Sequence, residues 1–279
     1  MHRRVTGSLC LVTLTFAGCI IPKDAKPTAA MSAQLASKWV QRGQTFIDRP
    51  VLQPRLAITA PTVTGDSVKL VSEGTASLGN DTGHGWFPDG HAGRFAQIDL
   101  IGSYVKTLGE ITLEAGVHNY VLPNGKEFVN GERGTTSEVF LLASANVLDA
   151  TPYLSINYDF DQVKDAYYRA GVSESFPIND KFSISADGSI SYITNGQAQW
   201  LFGANEKGLG DLRGVLALNW RYDERTTFSI SLNGSTMLNS AIANWMKQQN
   251  QYTDGSGTTL GTGIDPNPVW VTIGGGFVF

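Results

Sequence analysis

Apolar and polar side chains alternate with a period of two through most of this chain. Residues 182–192 place Phe182, Ile184, Ala186, Gly188, Ile190 and Tyr192 on one face, and Ser183, Ser185, Asp187, Ser189 and Ser191 on the other. Ile111, Leu113, Ala115 and Val117 oppose Thr112, Glu114, Gly116 and His118 in the same way. Phe228, Ile230 and Leu232 oppose Thr227, Ser229, Ser231 and Asn233. Successive side chains of a strand point to opposite faces, so each segment predicts a strand with one apolar side. Read this way, the chain holds strands at about 31–42, 52–60, 67–78, 95–106, 110–121, 137–147, 152–160, 167–176, 181–193, 211–222, 227–238 and 269–279. That makes twelve, and single-chain bacterial barrels carry an even number.

The connections alternate in length. Tight, turn-forming links at 61–66, 107–109, 148–151, 177–180 and 223–226 are interleaved with mostly longer ones at 43–51, 79–94, 122–136, 161–166, 194–210 and 239–268. Short turns at one end and long loops at the other define the up-and-down membrane barrel. The expected fold is therefore all-β, a transmembrane antiparallel up-and-down β-barrel of about twelve strands. It has short periplasmic turns, long extracellular loops and both termini in the periplasm. Aromatics sharpen the choice. Phe182, Trp220, Tyr222, Phe228, Phe277 and Phe279 fall near the short-turn end of the apolar face, and Tyr158, Phe160, Tyr168 and Tyr192 near the long-loop end. Two such belts around an aliphatic band match the girdles of an outer-membrane barrel. A soluble sandwich or lipocalin-like barrel, the other product of this alternation, has no reason to sort aromatics by height.

Composition agrees. In 279 residues only 16% are charged, and no apolar run approaches the ~20 residues of a membrane helix. The N-terminus reads as a targeting segment: His2-Arg3-Arg4, an apolar stretch from Val5 to Phe16, then Ala17-Gly18-Cys19. Small residues before a cysteine resemble a lipoprotein signal, with Cys19 as the lipidation site; an ordinary signal peptide cut near Ala29-Ala30 is the alternative. On the first reading residues 1–18 are removed, 19–30 form a tether containing Pro22 and Pro27, and 31–279 form the barrel. Cys10 is lost with the signal, leaving no free thiol for redox or metal chemistry. The mature chain carries 19 basic and 25 acidic residues, a net charge of −6 that argues against a nucleic-acid partner.

The polar faces predict a lumen of mixed charge: Lys38, Arg42, Arg55, Lys69, Arg169, Arg213 and Arg221 against Glu73, Asp99, Glu114, Glu138, Asp159 and Asp187. Walls of opposite sign set a transverse field across a pore. The alternative is a salt-bridged plug. His84 and His91 with Asp81 and Asp89 form a possible metal cluster, but their spacing fits no compact motif, so no metal or other cofactor is expected. Leu238, Ile242, Trp245 and Met246 recur at helical spacing and predict a short helix over the mouth, in the lumen or on neighbouring loops. His118 faces the lumen, yet no serine-containing signature surrounds it, and a catalytic role is not expected.

The closing strand, with Phe277 and Phe279 at its aromatic end, resembles the assembly signal of bacterial outer-membrane barrels. Other segments resemble the TorF-type family of outer-membrane porins, a proteobacterial family of unknown mechanism. They are Ser37-Lys38-Trp39-Val40-Gln41-Arg42-Gly43-Gln44 with Pro50-Val51-Leu52-Gln53-Pro54, Gln97 to Tyr104, Gly116 to Pro123, Ser137-Glu138-Val139, and Asn157-Tyr158-Asp159 with Tyr167-Tyr168. The resemblance spans residues 31–279 and implies an outer-membrane barrel, while the lipoprotein-like signal departs from it. The function expected is passive passage of small polar solutes. Two other classes compete: a closed barrel whose loops bind a ligand or partner, and a membrane-embedded lipid-modifying enzyme. The partners implied are outer-membrane lipid, the barrel-assembly machinery and small polar solutes; the oligomeric state is left open.

Overall fold

A computed structural model describes residues 21–22, 24–79, 92–123, 135–248, 252–253, 259–260 and 264–279. Cys19 and the loop residues Asp81, His84, Asp89 and His91 lie outside the described residues. In chain order the elements are β1 (Thr28–Ala36), β2 (Trp39–Gln41), β3 (Gln44–Ile47), β4 (Val51–Pro61), β5 (Ser67–Ser77), β6 (Phe95–Leu108), β7 (Ile111–Val121), β8 (Thr136–Ala145), β9 (Ala150–Asp159), β10 (Ala166–Pro177) and β11 (Phe182–Ile193). Then follow α1 (Asn195–Phe202), β12 (Gly208–Arg221), β13 (Thr226–Met237), α2 (Ser240–Gln248), β14 (Tyr252–Thr253), β15 (Thr259–Leu260) and β16 (Val269–Val278).

Twelve of these strands close into one antiparallel barrel, in the order β1-β16-β13-β12-β11-β10-β9-β8-β7-β6-β5-β4. β1 is hydrogen-bonded to β4 on one side and to β16 on the other, so the ring has no free edge. The ladder has one two-residue interruption on the β4–β5 seam: pairing passes from Leu52↔Ala76 to Arg55↔Glu73, skipping Gln53 and Pro54. Pro54 has no N–H to offer there, and a proline is tolerated in a sheet where pairing is broken. Two short turns are held by their own carboxylates. Asp66 accepts from the Tyr104 and Thr64 hydroxyls, and Asp223 from the backbone N–H groups of Arg225 and Thr226. These bonds hold both carboxyls below the ordinary aspartate range, so their contribution is present above the unfolded pKa and lost as pH falls through the lowered one.

The wall is inside out relative to a soluble domain. Ile190, Leu216, Leu232, Val271 and Ile273 are among many large apolar side chains exposed on the outer face, while Ser189, Ser191, Asn233 and Thr272 are buried on the inner one. The belts form across strands. Phe182 stacks on Trp220 at 6.3 Å, Trp220 meets Phe228 at 5.3 Å, and Phe277 meets Phe279 at 4.9 Å; at the other end Tyr168 and Tyr192 pair edge to face. Leu216 sits mid-strand between Ala186 and Leu232. Leu216→Arg is expected to cost about 2–4 kcal/mol in reversible folding into phospholipid vesicles, whereas Ser231→Arg on the lumen side changes it far less. Equal costs would contradict a lipid-facing outer wall.

Three sequence expectations need correction. The first strand ends at Ala36, not near residue 42, and the chain then turns inward as the β2–β3 hairpin. Residues 194–210, read as loop, contain α1. Its eight residues carry no charge, and their apolar side chains show no strong one-sided pattern, which hides the helix. The helix after β13 is present as α2, with Ile242 and Met246 buried and Trp245 exposed. The strand β1 also begins at Thr28, inside the stretch read as a tether.

Candidate functional site: a lumen closed by an inserted hairpin

The β2–β3 hairpin turns on two residues, Arg42 and Gly43, which follow Gln41 and precede its partner Gln44. Both have positive φ, 51° and 78°, as a two-residue turn of the primed type requires. Glycine adopts this freely, but a non-glycine residue there is strained. Gly43 is fixed by space as well, since an added Cβ would sit 2.9 Å from the Asp211 Cβ on the far wall. All four residues of β3 are buried, and Trp39 stacks on Phe46 at 4.6 Å. With Ile47 they join Tyr120, Tyr167, Ile193 and Trp270 of the wall, Leu201 and Phe202 of α1, and Ile242 and Met246 of α2 in one apolar cluster inside the long-loop end. Fully burying Trp39, Phe46 and Ile47 contributes at most about 5–9 kcal/mol to holding the hairpin in place.

The hairpin tip is also pinned by charge. Arg42 donates to both Glu138 oxygens, at 2.7 and 2.6 Å, and to Gln197 Oε1 of α1 at 3.1 Å. Its guanidinium lies 4.4 Å from the Tyr167 ring centroid. Glu138 further accepts from the Tyr120 hydroxyl at 3.0 Å. A second knot lies beside it, where Arg169 Nη2 donates to both Asp211 oxygens at 2.9 Å and Nη1 to Ser189 Oγ at 2.7 Å. Asp211 also accepts from Ser191 and from the Tyr167 hydroxyl. Tyr167 therefore ties the knots together, its ring under Arg42 and its hydroxyl on Asp211. The Arg42–Glu138 pair, with two nitrogens on two oxygens, fixes geometry as well as adding energy.

The other charges named from sequence are placed as follows. Arg55 pairs with Glu73 at 3.4 Å and Lys69 with Glu114 at 3.3 Å. Asp99 accepts twice from Gln97 at 2.9 Å. His118 Nε2 stands 3.1 Å from Asp99 Oδ1, although poorly aligned for a hydrogen bond, and its ring stacks on Tyr120. Asp187 accepts from the Tyr153 hydroxyl at 3.0 Å. Lys38 lines the lumen cavity from the hairpin base, paired with Asp48 at 2.8 Å. Two assignments change. Asp159 is fully buried as a loop cap, accepting from Thr136 Oγ1 and from the backbone N–H of Asp161 and Val163. Arg221 is exposed at the short-turn rim and donates to the Asp180 carbonyl. Asp211, Tyr120, Tyr153, Tyr167 and Gln197 were missed. Strand parity could have found Asp211, two residues before the inward Arg213, and Tyr167, next to the outward Tyr168.

On the short-turn side of the hairpin lies a polar cavity of about 580 Å³. Glu73, Asp99 and His118 line it on one side and Arg169 and Arg213 on the other. Asp99 on β6 and Arg213 on β12 stand six places apart in a ring of twelve, diametrically opposed. Past the hairpin, among the described residues, the pocket between Arg42, Glu138, Gln197 and Trp200 holds about 40 Å³. The site is thus a charged vestibule beneath an apolar closure.

These features define a twelve-stranded barrel of membrane type whose lumen, among the described residues, holds an inserted hairpin. No protein-family model and no curated protein matches the chain. Among solved structures it is similar to the KdgM porin (TM-score 0.47, 11% identity, 90% of this chain and 99% of that one). It is likewise similar to the NanC porin (TM-score 0.49, 13% identity, 88% and 98%) and to an outer membrane channel from Pseudomonas putida F1 (TM-score 0.47, 10% identity, 92% and 99%).

Proposed function

We propose that this protein is a bacterial outer-membrane channel for small polar solutes, with both termini in the periplasm and the hairpin closing it from the long-loop side. The observation that carries the reading is the vestibule. A barrel built only for stability would fill its interior with side chains. Here the apolar filling stops at the hairpin, and a cavity of about 580 Å³ with opposed charges remains beneath it. Opposed charges orient a polar solute without trapping one sign of ion. A second reading has its own support: the closure is apolar and continuous with both loop helices, as suits a plugged barrel whose loops bind a partner.

Planar-bilayer recording of refolded protein, with folding shown by heat-modifiable gel mobility, separates the two. The channel reading expects discrete conductance steps with long closed intervals. A folded protein that stays silent across the voltage range, and stays silent once the hairpin is removed, leaves the surface-binding barrel.

A further inference from the structure

We propose that Arg213 is the anchor of a binding site, within the vestibule, for a small hydroxylated monocarboxylate. The inference rests on the channel reading for its purpose and names the solute class that the same lumen would hold. Every other arginine or lysine assigned to the wall from sequence has a local partner: Arg55 has Glu73, Lys69 has Glu114, Arg169 has Asp211, and Arg221 has the Asp180 carbonyl. Arg213 has no carboxylate at ion-pair distance among the described residues; the two that act on it from further off, Asp211 and Asp187, are already bound by Arg169 and by the Tyr153 hydroxyl. Its Nε is buried without a hydrogen-bond partner, and its guanidinium carbon lies 5.7 Å from the Trp270 ring centroid. A cation largely withdrawn from water and left unpaired is unfavourable, and an anion in the adjoining cavity relieves it. The planar guanidinium fork fits a carboxylate by two parallel bonds.

The rest of the cavity specifies what the carboxylate is attached to. Asn233 lies close to Arg213, and the cavity also presents Gln53, Asn157 and Thr272, neutral donors and acceptors suited to hydroxyl groups. Glu73 and Asp99 on the opposite wall disfavour a second carboxylate at the far end of the solute. The volume, about 580 Å³, lies within the range of small-molecule sites, roughly 300–1,000 Å³.

The test is calorimetric titration of the detergent-folded full chain with sodium gluconate, using acetate and sorbitol as comparators. Gluconate is expected to bind more tightly than acetate, and sorbitol to give no saturable heat. Arg213→Gln should weaken gluconate by about tenfold or more, Arg213→Lys by less because it keeps the charge and loses the fork, and the rim variant Arg221→Gln not at all. Absence of gluconate binding to folded wild type, or equal binding by Arg213→Gln, overturns the site. Acetate binding as tightly as gluconate overturns the hydroxylated class. Bilayer recording reports on the channel separately. Gluconate binding without conductance sinks the channel and keeps the site; conductance without gluconate binding does the reverse.

Discussion

Replacing Trp39–Ile47 by a Gly-Ser linker is expected to raise single-channel conductance several-fold and abolish the long closed intervals. The segment lies between β1 and β4, which pair with each other from Thr28↔Thr59 to Ala36↔Val51 without its help, so the barrel wall survives its loss. What disappears is the hairpin that carries Trp39, Phe46 and Ile47 into the interior cluster. The apolar cluster loses Trp39, Phe46 and Ile47, and Leu201, Phe202, Ile242 and Met246 are left facing water across the gap. Bilayer recording measures the effect, with heat-modifiable mobility as the folding control. A folded variant with unchanged conductance would show that the closure lies elsewhere, and the gating role of the hairpin would be withdrawn.

Glu138→Ala is expected to destabilise the barrel by about 3–5 kcal/mol, because it strands the Arg42 guanidinium in a dry setting with only neutral partners. The fold should then melt at clearly lower denaturant in a vesicle unfolding titration. The double variant Arg42→Met/Glu138→Leu tells a different story: it removes both charges and fills the space with apolar atoms, so most of the stability should return. It should also remain closed. The ion pair aligns the tip, but the burial of Trp39, Phe46 and Ile47 supplies the larger part of the docking energy. A double variant as unstable as the single one would mean that the tip depends on the pair itself.

Much of the barrel could be read from the chain because a strand announces itself twice, by its apolar face and by the turn that follows. Phe182 to Tyr192 alternates without interruption, Val269 to Phe279 keeps one wholly apolar face, and both strands lie where expected. The first strand was misread because Lys38 and Arg42 keep the polar parity of Ser32 and Gln34 through the bend at Ser37, so parity alone cannot tell a longer strand from a folded-back one. The Gly43 that follows Arg42 was the available sign of a hairpin. Lumen charges were recognisable by parity, but their partners were not. Arg42 and Glu138 are ninety-six residues apart, and only closure of the ring brings them together. Asp159 and Arg221 obeyed parity yet lie at strand ends, where a side chain serves the adjoining loop or rim instead of the bore.

The pairing of β1 with β16 also sets the order of events in assembly. Leu35 meets Ile273 and Ala30 meets Val278, so the seam joins the beginning of the wall to its end. Every partial chain therefore carries two unsatisfied edges, and no intermediate barrel of fewer strands is built into this register. Neighbouring hairpins form over short loops, but the final joint spans nearly the whole described chain, and such distant contacts are slow to find. Until β16 arrives, the exposed backbone of β1 is open to pairing with another molecule. Productive folding of this protein is thus a race between closure and association, and it is decided at the last strand.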